Sequence, residues 1–267
     1  AECSVPAVVP QDGEEVSVLK ARIKFRKYGC MKFIGHLDVM RYFQKVMRRA
    51  QIPIAFTGGY SPHMIMSFAS PLGIGLTSEG EYFDIELTEP IESEKAVRQM
   101  NEVGVEGIEV LSFRQIAEEK KATGMAIVAA ADYLVGLRKG LFPDNLEELV
   151  QNFIAQDQIE VLKQTKRSEK VVDIRPMIYQ MKMQNNCSDC FESPTDTRVV
   201  ALQLAAGSVE NLKPDLVMSA FLNFAGIKDS DVTCAYHRME MYANTAEEGQ
   251  PRNLVSLENL GKEIVGK

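Results

Sequence analysis

The sequence predicts an α+β protein made of two tandem ferredoxin-like domains. Segments with the period-two alternation of strands are interleaved with segments of helical period, and the order strand, helix, strand, strand, helix, strand occurs twice. A chain of 267 residues, 45% of them hydrophobic, is also long enough to bury two cores. The predicted division is a flexible tail at 1–17, domains at 18–118 and 123–245, and a second tail at 246–267.

The first domain begins with a strand at 18–27, where apolar residues such as Ile23 and Phe25 alternate with Lys or Arg. A helix is predicted at 35–50, because apolar residues recur there every three or four positions. Pro53 and the pair Gly58 and Gly59 end this stretch. The other predicted elements are strands at 65–68, 81–87 and 106–114, a helix at 92–103, and a turn containing Gly73, Gly75 and Gly80.

The second domain is predicted from the same order of elements. Its strands are expected at 126–138, 159–165, 198–205 and 232–242, and its helices at 145–155 and 214–224. Residues 171–184 have no place in this scheme, although Pro176 suits the first turn of a short helix at 177–181. The repeat therefore depends on element order, since no residue-level similarity joins the halves.

Charge is the clearest functional signal. Residues 20–49 contain ten Lys or Arg and one acid, Asp38, although the whole chain has a formal charge of −7. Such a local excess of cations favours an anionic partner, most often phosphate groups. A solvated helix face is the competing interpretation. We predict an RNA-binding surface made of Arg22, Lys24, Arg26, His36, Arg41, Lys45, Arg48, Arg49, Tyr60 and His63.

Three of these residues are not simple cations. Tyr60 lies in a glycine-containing loop, where an exposed ring can stack on a base, whereas most other aromatic residues nearby are expected in the core. His36 stands at the start of the predicted helix, where free backbone amides can bind an anion. His36 and His63 could alternatively be the acid and base of a ribonuclease, or have only local structural roles.

Cofactor motifs are weak or absent in the sequence. The glycines of the predicted turn match neither a phosphate-binding loop nor a dinucleotide fingerprint, so a tight turn is the simpler interpretation and no cofactor is predicted. Cys187 and Cys190 have the spacing of metal ligands, but no second pair completes a four-ligand zinc site. A zinc ion shared across a dimer, a redox pair and a surface loop all remain open.

Five cysteines, an odd number scattered over a long chain, favour a reducing cytosol over a disulfide framework. No apolar run approaches the roughly 20 residues needed to span a bilayer. We expect a soluble cytoplasmic protein with no signal peptide and no membrane partner.

Several motifs between residues 27 and 87 resemble a known family. They are Phe33-Ile34-Gly35-His36-Leu37-Asp38-Val39-Met40-Arg41, Arg48-Arg49-Ala50-Gln51-Ile52-Pro53, Gly59-Tyr60-Ser61-Pro62-His63, Ser67-Phe68-Ala69, Pro71-Leu72-Gly73 and Ser78-Glu79-Gly80-Glu81-Tyr82. This segment is similar to the radical SAM-linked family of unknown function numbered 2344. Members lie beside, or are fused to, a radical SAM protein, so the resemblance implies such an enzyme as partner. The chain itself has no Cys-x-x-x-Cys-x-x-Cys motif.

The family pattern is matched at His36, Asp38, Arg41, Arg48, Arg49 and His63. The chain departs from it at Gly35, where relatives usually have a serine that would cap the helix, and at Tyr60, Ser61 and Met64, where relatives have Phe, Asn and Pro.

The leading hypothesis is an RNA-binding accessory protein, for tRNA or rRNA, that presents its substrate to a radical SAM partner and is not itself an enzyme. One alternative is a metal-independent ribonuclease that uses His36 and His63. Another is a non-catalytic module that docks the radical SAM partner.

Overall fold

The computed structural model describes residues 19–117, 124–138, 142–164, 169–184, 191, 198–208 and 210–266. The predicted tail at 1–17 and the pair Cys187 and Cys190 lie outside these residues. The helices are α1 (His36–Arg49), α2 (Ser93–Glu102), α3 (Gly124–Ile127), α4 (Leu146–Ile154) and α5 (Pro214–Phe224). Short 3-10 helices span Gly29–Phe33, Arg175–Met177, Asp229–Asp231 and Glu258–Leu260.

The strands are β1 (Leu19–Lys27), β2 (Met66–Phe68), β3 (Thr77–Leu87), β4 (Ile108–Ile116), β5 (Val128–Arg138), β6 (Glu160–Gln164), β7 (Glu169–Asp173), β8 (Ile178–Gln184), β9 (Arg198–Ala205), β10 (Thr233–Asn244) and β11 (Leu254–Ser256). All but β6 and β7 belong to one large mixed sheet, so the protein has a mixed α+β fold.

The sheet joins the two halves of the chain. In the first half the order is β4-β1-β3 with β2 paired to β3, and in the second half it is β10-β5-β9-β8. Every pairing within a half is antiparallel. The halves meet where β3 and β10 run parallel, with His237 opposite Thr77 and Arg238 opposite Ser78. We call this junction the seam.

The core of the first half follows from alternation on β1 and helical spacing on α1. Ala21, Ile23 and Phe25 are buried on one face of β1, and α1 packs its apolar stripe over that face. Phe25 and Phe43 have ring centroids 4.7 Å apart in an edge-to-face arrangement, and Phe68 stacks on Phe83 at 4.8 Å. Burying each such side chain stabilises the fold by about 1.5–3 kcal/mol, so this cluster fixes the position of α1.

Two elements of the second half differ from the prediction. The strand expected at 159–165 forms β6, which pairs only with β7 in a separate two-stranded hairpin. The sheet position assigned to it is occupied by β8, from the segment that had no assigned place. Pro176 does lie in the first turn of a helix, but that helix is one short 3-10 turn and a strand begins at Ile178, so the short helix predicted at 177–181 is wrong.

The glycine-rich turn is also shorter than predicted. β3 begins at Thr77, so Gly80 lies inside a strand and the turn ends near Gly75, which has a φ of +90°. A Cβ atom on Gly80 would lie 2.7 Å from the carbonyl oxygen of Met239. Glycine is therefore required at this position for the close approach of β3 and β10.

Part of the segment predicted as a C-terminal tail pairs with the sheet. β11 pairs with β10, and Lys262 forms a bridge with Gln115 on β4. The segment thus crosses from the middle of the sheet to its β4 edge, and we call residues 254–264 the strap. Among the described residues, no helix is long and apolar enough to cross a membrane.

Candidate nucleic-acid interface

The cations of β1 point to the face of the sheet opposite α1, as their alternation predicts, but that face is not an open surface. Arg22 is only 2% exposed. Its guanidinium donates to both carboxylate oxygens of Asp84, at 2.8 and 2.9 Å, and to the carbonyl oxygen of Leu257 in the strap at 3.2 Å. Arg22 is predicted to lie on the RNA-binding surface, but in the structure the strap covers it and Asp84 neutralises it.

Lys24 and Arg26 are also paired with carboxylates. Lys24 donates to Glu240 at 2.8 Å and to Glu258 at 3.0 Å. Burial disfavours the charge of Lys24, but these two carboxylates outweigh it and raise the pKa of Lys24 above its ordinary value. Arg26 donates to Glu109 at 2.8 Å and lies 3.7 Å from Glu79. The positive charges of Arg22, Lys24 and Arg26 are therefore balanced within the molecule.

The cations of α1 have a different environment. The helix buries Val39, Phe43, Val46 and Met47, so the remaining positions face outward. Arg41, Lys45, Arg48 and Arg49 are exposed, and among the described residues the last three form no ion pair. Arg41 is 3.4 Å from Asp38, an exposed contact one turn away that is worth little. We call these four residues the helix cations.

Exposed apolar side chains continue from the start of this helix. Phe33, Leu37 and Ile74 are 66%, 60% and 66% exposed. Ile74 belongs to the loop at 70–76 and lies against Gly35, since a Cβ built there would be 3.8 Å from its Cδ1. The same loop is fixed to the residues before α1 by a hydrogen bond of 2.7 Å from the Gly75 N–H to the Lys32 carbonyl.

Tyr60 is fully exposed in the loop at the end of a short hairpin that follows α1. The hairpin is defined by the bridge between Phe56 and Met64 and by a 2.9 Å hydrogen bond from the Thr57 N–H to the His63 carbonyl. Of the other aromatic residues of this region, Phe25 and Phe68 are buried, while Tyr42 accepts a hydrogen bond from the Val105 N–H at 3.3 Å. Phe33 and Phe56 are 66% and 48% exposed, so Tyr60 is the most exposed of these rings.

The two histidines of the first half occupy separate places. His36 packs edge-on against Phe68, with ring centroids 5.2 Å apart, and the side chain of His63 lies 3.1 Å from the Thr57 hydroxyl. The two rings therefore have different neighbours, the ring of Phe68 for His36 and the hydroxyl of Thr57 for His63.

The seam contains polar residues that the sequence did not single out. Arg238, 2% exposed, donates from Nε to Glu81 at 2.7 Å and from Nη2 to the Ser70 carbonyl at 2.8 Å. Burial disfavours its charge, yet Glu81 and Tyr133 raise the pKa of Arg238 above its ordinary value. Lys27 is also buried beside this pair, and burial lowers its pKa. Alternation along β10 predicts that Arg238 and His237 lie on opposite faces of the sheet. No feature of the sequence predicts that Arg238 pairs with Glu81.

His237 lies on the other face of β10. It is 2% exposed, its Nδ1 is 2.7 Å from the Thr77 hydroxyl, and burial lowers its pKa to about 4. Its Nε2 is buried without a hydrogen-bond partner among the described residues.

No cluster of three His, Cys, Asp or Glu side chains suited to a metal ion occurs within the described ranges. Cys187 and Cys190 lie outside them.

The family assignment comes from sequence comparison. The model of the family described as "Uncharacterized protein conserved in bacteria (DUF2344)" matches residues 20–214, more than half of the chain. The chain belongs to the DUF2344 family. The match covers β1, α1, the hairpin with Tyr60, the loop at 70–76 and the start of α5. No protein with a curated description matches this DUF2344 chain.

Two solved structures give low similarity. The first is titled "Crystal Structure of a Cbf5-Nop10-Gar1 Complex", with a TM-score of 0.45 and 10% identity over 83% of this chain and 48% of that chain. This DUF2344 chain therefore spans about half the length of that protein. The second is titled "Crystal Structure of an Unknown Protein from Galdieria sulphuraria", with a TM-score of 0.22 and 10% identity over 83% of this chain and 98% of that chain.

Proposed function

We propose that this DUF2344 protein binds RNA through the outer face of α1 and acts as an accessory to a radical SAM enzyme. The observation that carries the RNA proposal is the set of four exposed cations on α1, of which only Arg41 has a weak ion pair among the described residues. Unpaired cations on one helix face can contact successive phosphates of a nucleic acid. Such contacts do not depend on the nucleotide sequence.

Tyr60 adds the second component of a single-strand site, an exposed ring that stacks on a base. RNA presents such unstacked bases in its loops and ends, which favours single-stranded regions of tRNA or rRNA as the target. The radical SAM partner rests on the family resemblance, and the enzyme would supply the reaction to the RNA held here.

We also propose that each half of the sheet is a ferredoxin-like unit. The antiparallel orders β4-β1-β3-β2 and β10-β5-β9-β8 support this, because numbering the strands of each half in chain order, with the β6–β7 hairpin as an insertion, gives 4-1-3-2 in both.

A docking module is the second candidate, and the exposed side chains of Phe33, Leu37 and Ile74 favour it. An apolar patch beside cations suits an acidic protein surface that also carries apolar residues. In this alternative the radical SAM partner, rather than RNA, covers the start of α1.

The test is fluorescence anisotropy of labelled tRNA, rRNA fragments and matched DNA across a salt series. We expect binding that weakens with salt, prefers RNA and falls at least tenfold in the triple variant Arg41→Ala/Arg48→Ala/Arg49→Ala. The matched control Lys95→Ala/Arg98→Ala/Lys228→Ala removes the same charge from exposed positions elsewhere and should bind as the parent does. No binding by the parent even at low salt would refute the RNA proposal and favour docking.

A further inference from the structure

A cleft of about 550 Å³ lies beside the seam. One wall is the loop at 70–76, and the opposite wall is formed by β5, β10 and the start of α5. The volume is within the roughly 300–1,000 Å³ of pockets that bind small organic molecules. The family resemblance assigns no role to this cleft, and its second wall comes from the other half of the chain.

The lining is suited to a flat ring that carries an anionic group. Leu72, Ile74 and the tyrosines Tyr133 and Tyr236 supply apolar and aromatic surface. Lys213 and Arg238 supply positive charge from the second half.

Two cations, Lys213 and Arg238, and one acid, Asp215, line the cleft. Arg238 is held in a buried ion pair with Glu81. Lys213 lies at the exposed side, where the carboxylate of Asp215 already accepts a hydrogen bond from the Leu216 N–H at 2.9 Å. An anionic group that enters the cleft would therefore interact favourably with Lys213 first.

The loop at 70–76 connects the cleft to the outer face of α1. Ile74 packs against Gly35 at the start of the helix, and Gly75 is hydrogen-bonded to Lys32. The same loop lines the cleft through Leu72 and Leu76. An RNA strand held by the helix cations would therefore need to cross only this loop to reach the cleft.

We propose that this cleft binds a single nucleotide, with its base against the tyrosines and the loop and its phosphate toward Lys213 and Arg238. This nucleotide is one residue of the RNA bound by α1, turned out of the RNA strand, and in this form the inference rests on the function proposed above. A free nucleotide has the same chemistry, and the experiment distinguishes the two sources.

Two variants alter the cleft with little risk to the fold. Gly73→Leu places a side chain in the cleft, and its Cβ would be 3.7 Å from Leu76 Cδ1, an ordinary contact. Lys213→Ala removes an exposed cation. Lys228→Ala, at another exposed position of the second half, is the matched control, and circular dichroism melting checks that each variant is folded.

The first arm is calorimetric titration with the four nucleoside 5′-monophosphates and with inorganic phosphate. We expect at least one nucleotide to bind more tightly than phosphate, a loss of at least tenfold in Gly73→Leu and Lys213→Ala, and no change in Lys228→Ala or in the triple variant of the helix cations. This arm does not depend on RNA binding by α1.

The second arm measures single-stranded RNA by anisotropy. A fivefold or greater loss in Gly73→Leu with an unchanged salt slope identifies the ligand as a nucleotide of the strand. Nucleotide binding with unchanged RNA affinity, or with no RNA binding by the parent, supports the cleft as a free-nucleotide site and removes its link to the RNA. If the parent binds no nucleotide at millimolar concentration and Gly73→Leu binds RNA as the parent does, the cleft proposal is overturned while the α1 proposal stands.

Discussion

Two adjacent elements, β1 and α1, contribute nearly all the cations of the same basic segment, but the fold places these cations in opposite environments. On β1, Arg22 and Lys24 are bonded to Asp84, Glu240 and Glu258 and covered by the strap. On α1, Lys45, Arg48 and Arg49 are exposed. A run of charge along the sequence therefore does not by itself make a charged surface.

The difference arises from partners that are distant in sequence. Asp84 is 62 positions from Arg22, and Glu258 is 234 positions from Lys24. On α1 the only acid is Asp38, at the start of the helix. We therefore expect β1 cations to act on stability and α1 cations to act on RNA binding.

The largest effect is expected for Arg22→Met, which removes the guanidinium from the buried carboxylate of Asp84. Removing one member of a buried ion pair costs about 3–5 kcal/mol, so the free energy of unfolding in urea should fall by about that amount. The control Arg48→Met, on the exposed face of α1, should change it by no more than about 0.5 kcal/mol. Equal losses in the two variants would contradict the comparison.

A second prediction concerns the pH dependence of stability and His237 at the seam. Above pH 6.5 the ring is neutral in both states, whereas below it the unfolded ring gains a proton that the folded ring resists down to a pKa of about 4. The free energy of unfolding should therefore fall as the pH is lowered between these values, by about 3 kcal/mol from this residue.

His237→Leu should remove that part of the pH dependence. The contribution of His237 is obtained by measuring the free energy of unfolding in urea at each pH and subtracting the value of the variant from that of the parent. The subtraction cancels the carboxylates that titrate in the same range. A difference independent of pH would show that the folded ring takes up protons as readily as the unfolded one.

The third prediction compares salt dependence. In the triple variant Arg41→Ala/Arg48→Ala/Arg49→Ala, the slope of log affinity for single-stranded RNA against log salt should become shallower by about 2, since each phosphate contact contributes about 0.7. Lys24→Met should leave the slope unchanged, because the Lys24 charge is already held by two carboxylates. A change in slope on replacing Lys24 would place β1 in the interface after all.

The smallest effect is expected for Tyr60→Ala. Loss of one stacking ring costs about 1 kcal/mol, roughly fivefold in affinity for single-stranded RNA measured by anisotropy. Tyr60→Phe keeps the ring and should bind as the parent does. Loss of affinity in both variants would assign the effect to the hydroxyl group.

Much of the first half follows from local pattern, because alternation on β1 and the stripe on α1 each predict which face is buried. The strap and the seam did not follow from it. Residues 254–264 have no regular spacing of apolar residues, although Leu257 is buried in the core of the second half and Ile264 packs against that of the first. Hydrogen bonds and ion pairs to β4, β10 and β1 also hold this segment, and no local period reveals them. Similarly, β8 and β6 have comparable strand patterns, and only tertiary pairing decides which one joins the sheet.

The candidate site was predicted in part. Exposure of the helix cations follows from the helical stripe, whereas the charge state of a strand face depends on the residues of neighbouring strands. Arg238 and Glu81 are 157 positions apart, so neither the seam nor the cleft beside it could be predicted from one sequence.

The measurement that tests the division most directly is acetylation of lysines, followed by mass spectrometry, with and without saturating unfractionated tRNA at low salt. Lys45 on α1 should react quickly in the free protein and become protected at least fivefold by tRNA. Lys24, held by Glu240 and Glu258, should react slowly in both samples. Unchanged reactivity of Lys45 under conditions where tRNA is bound would contradict the assignment of the interface to α1.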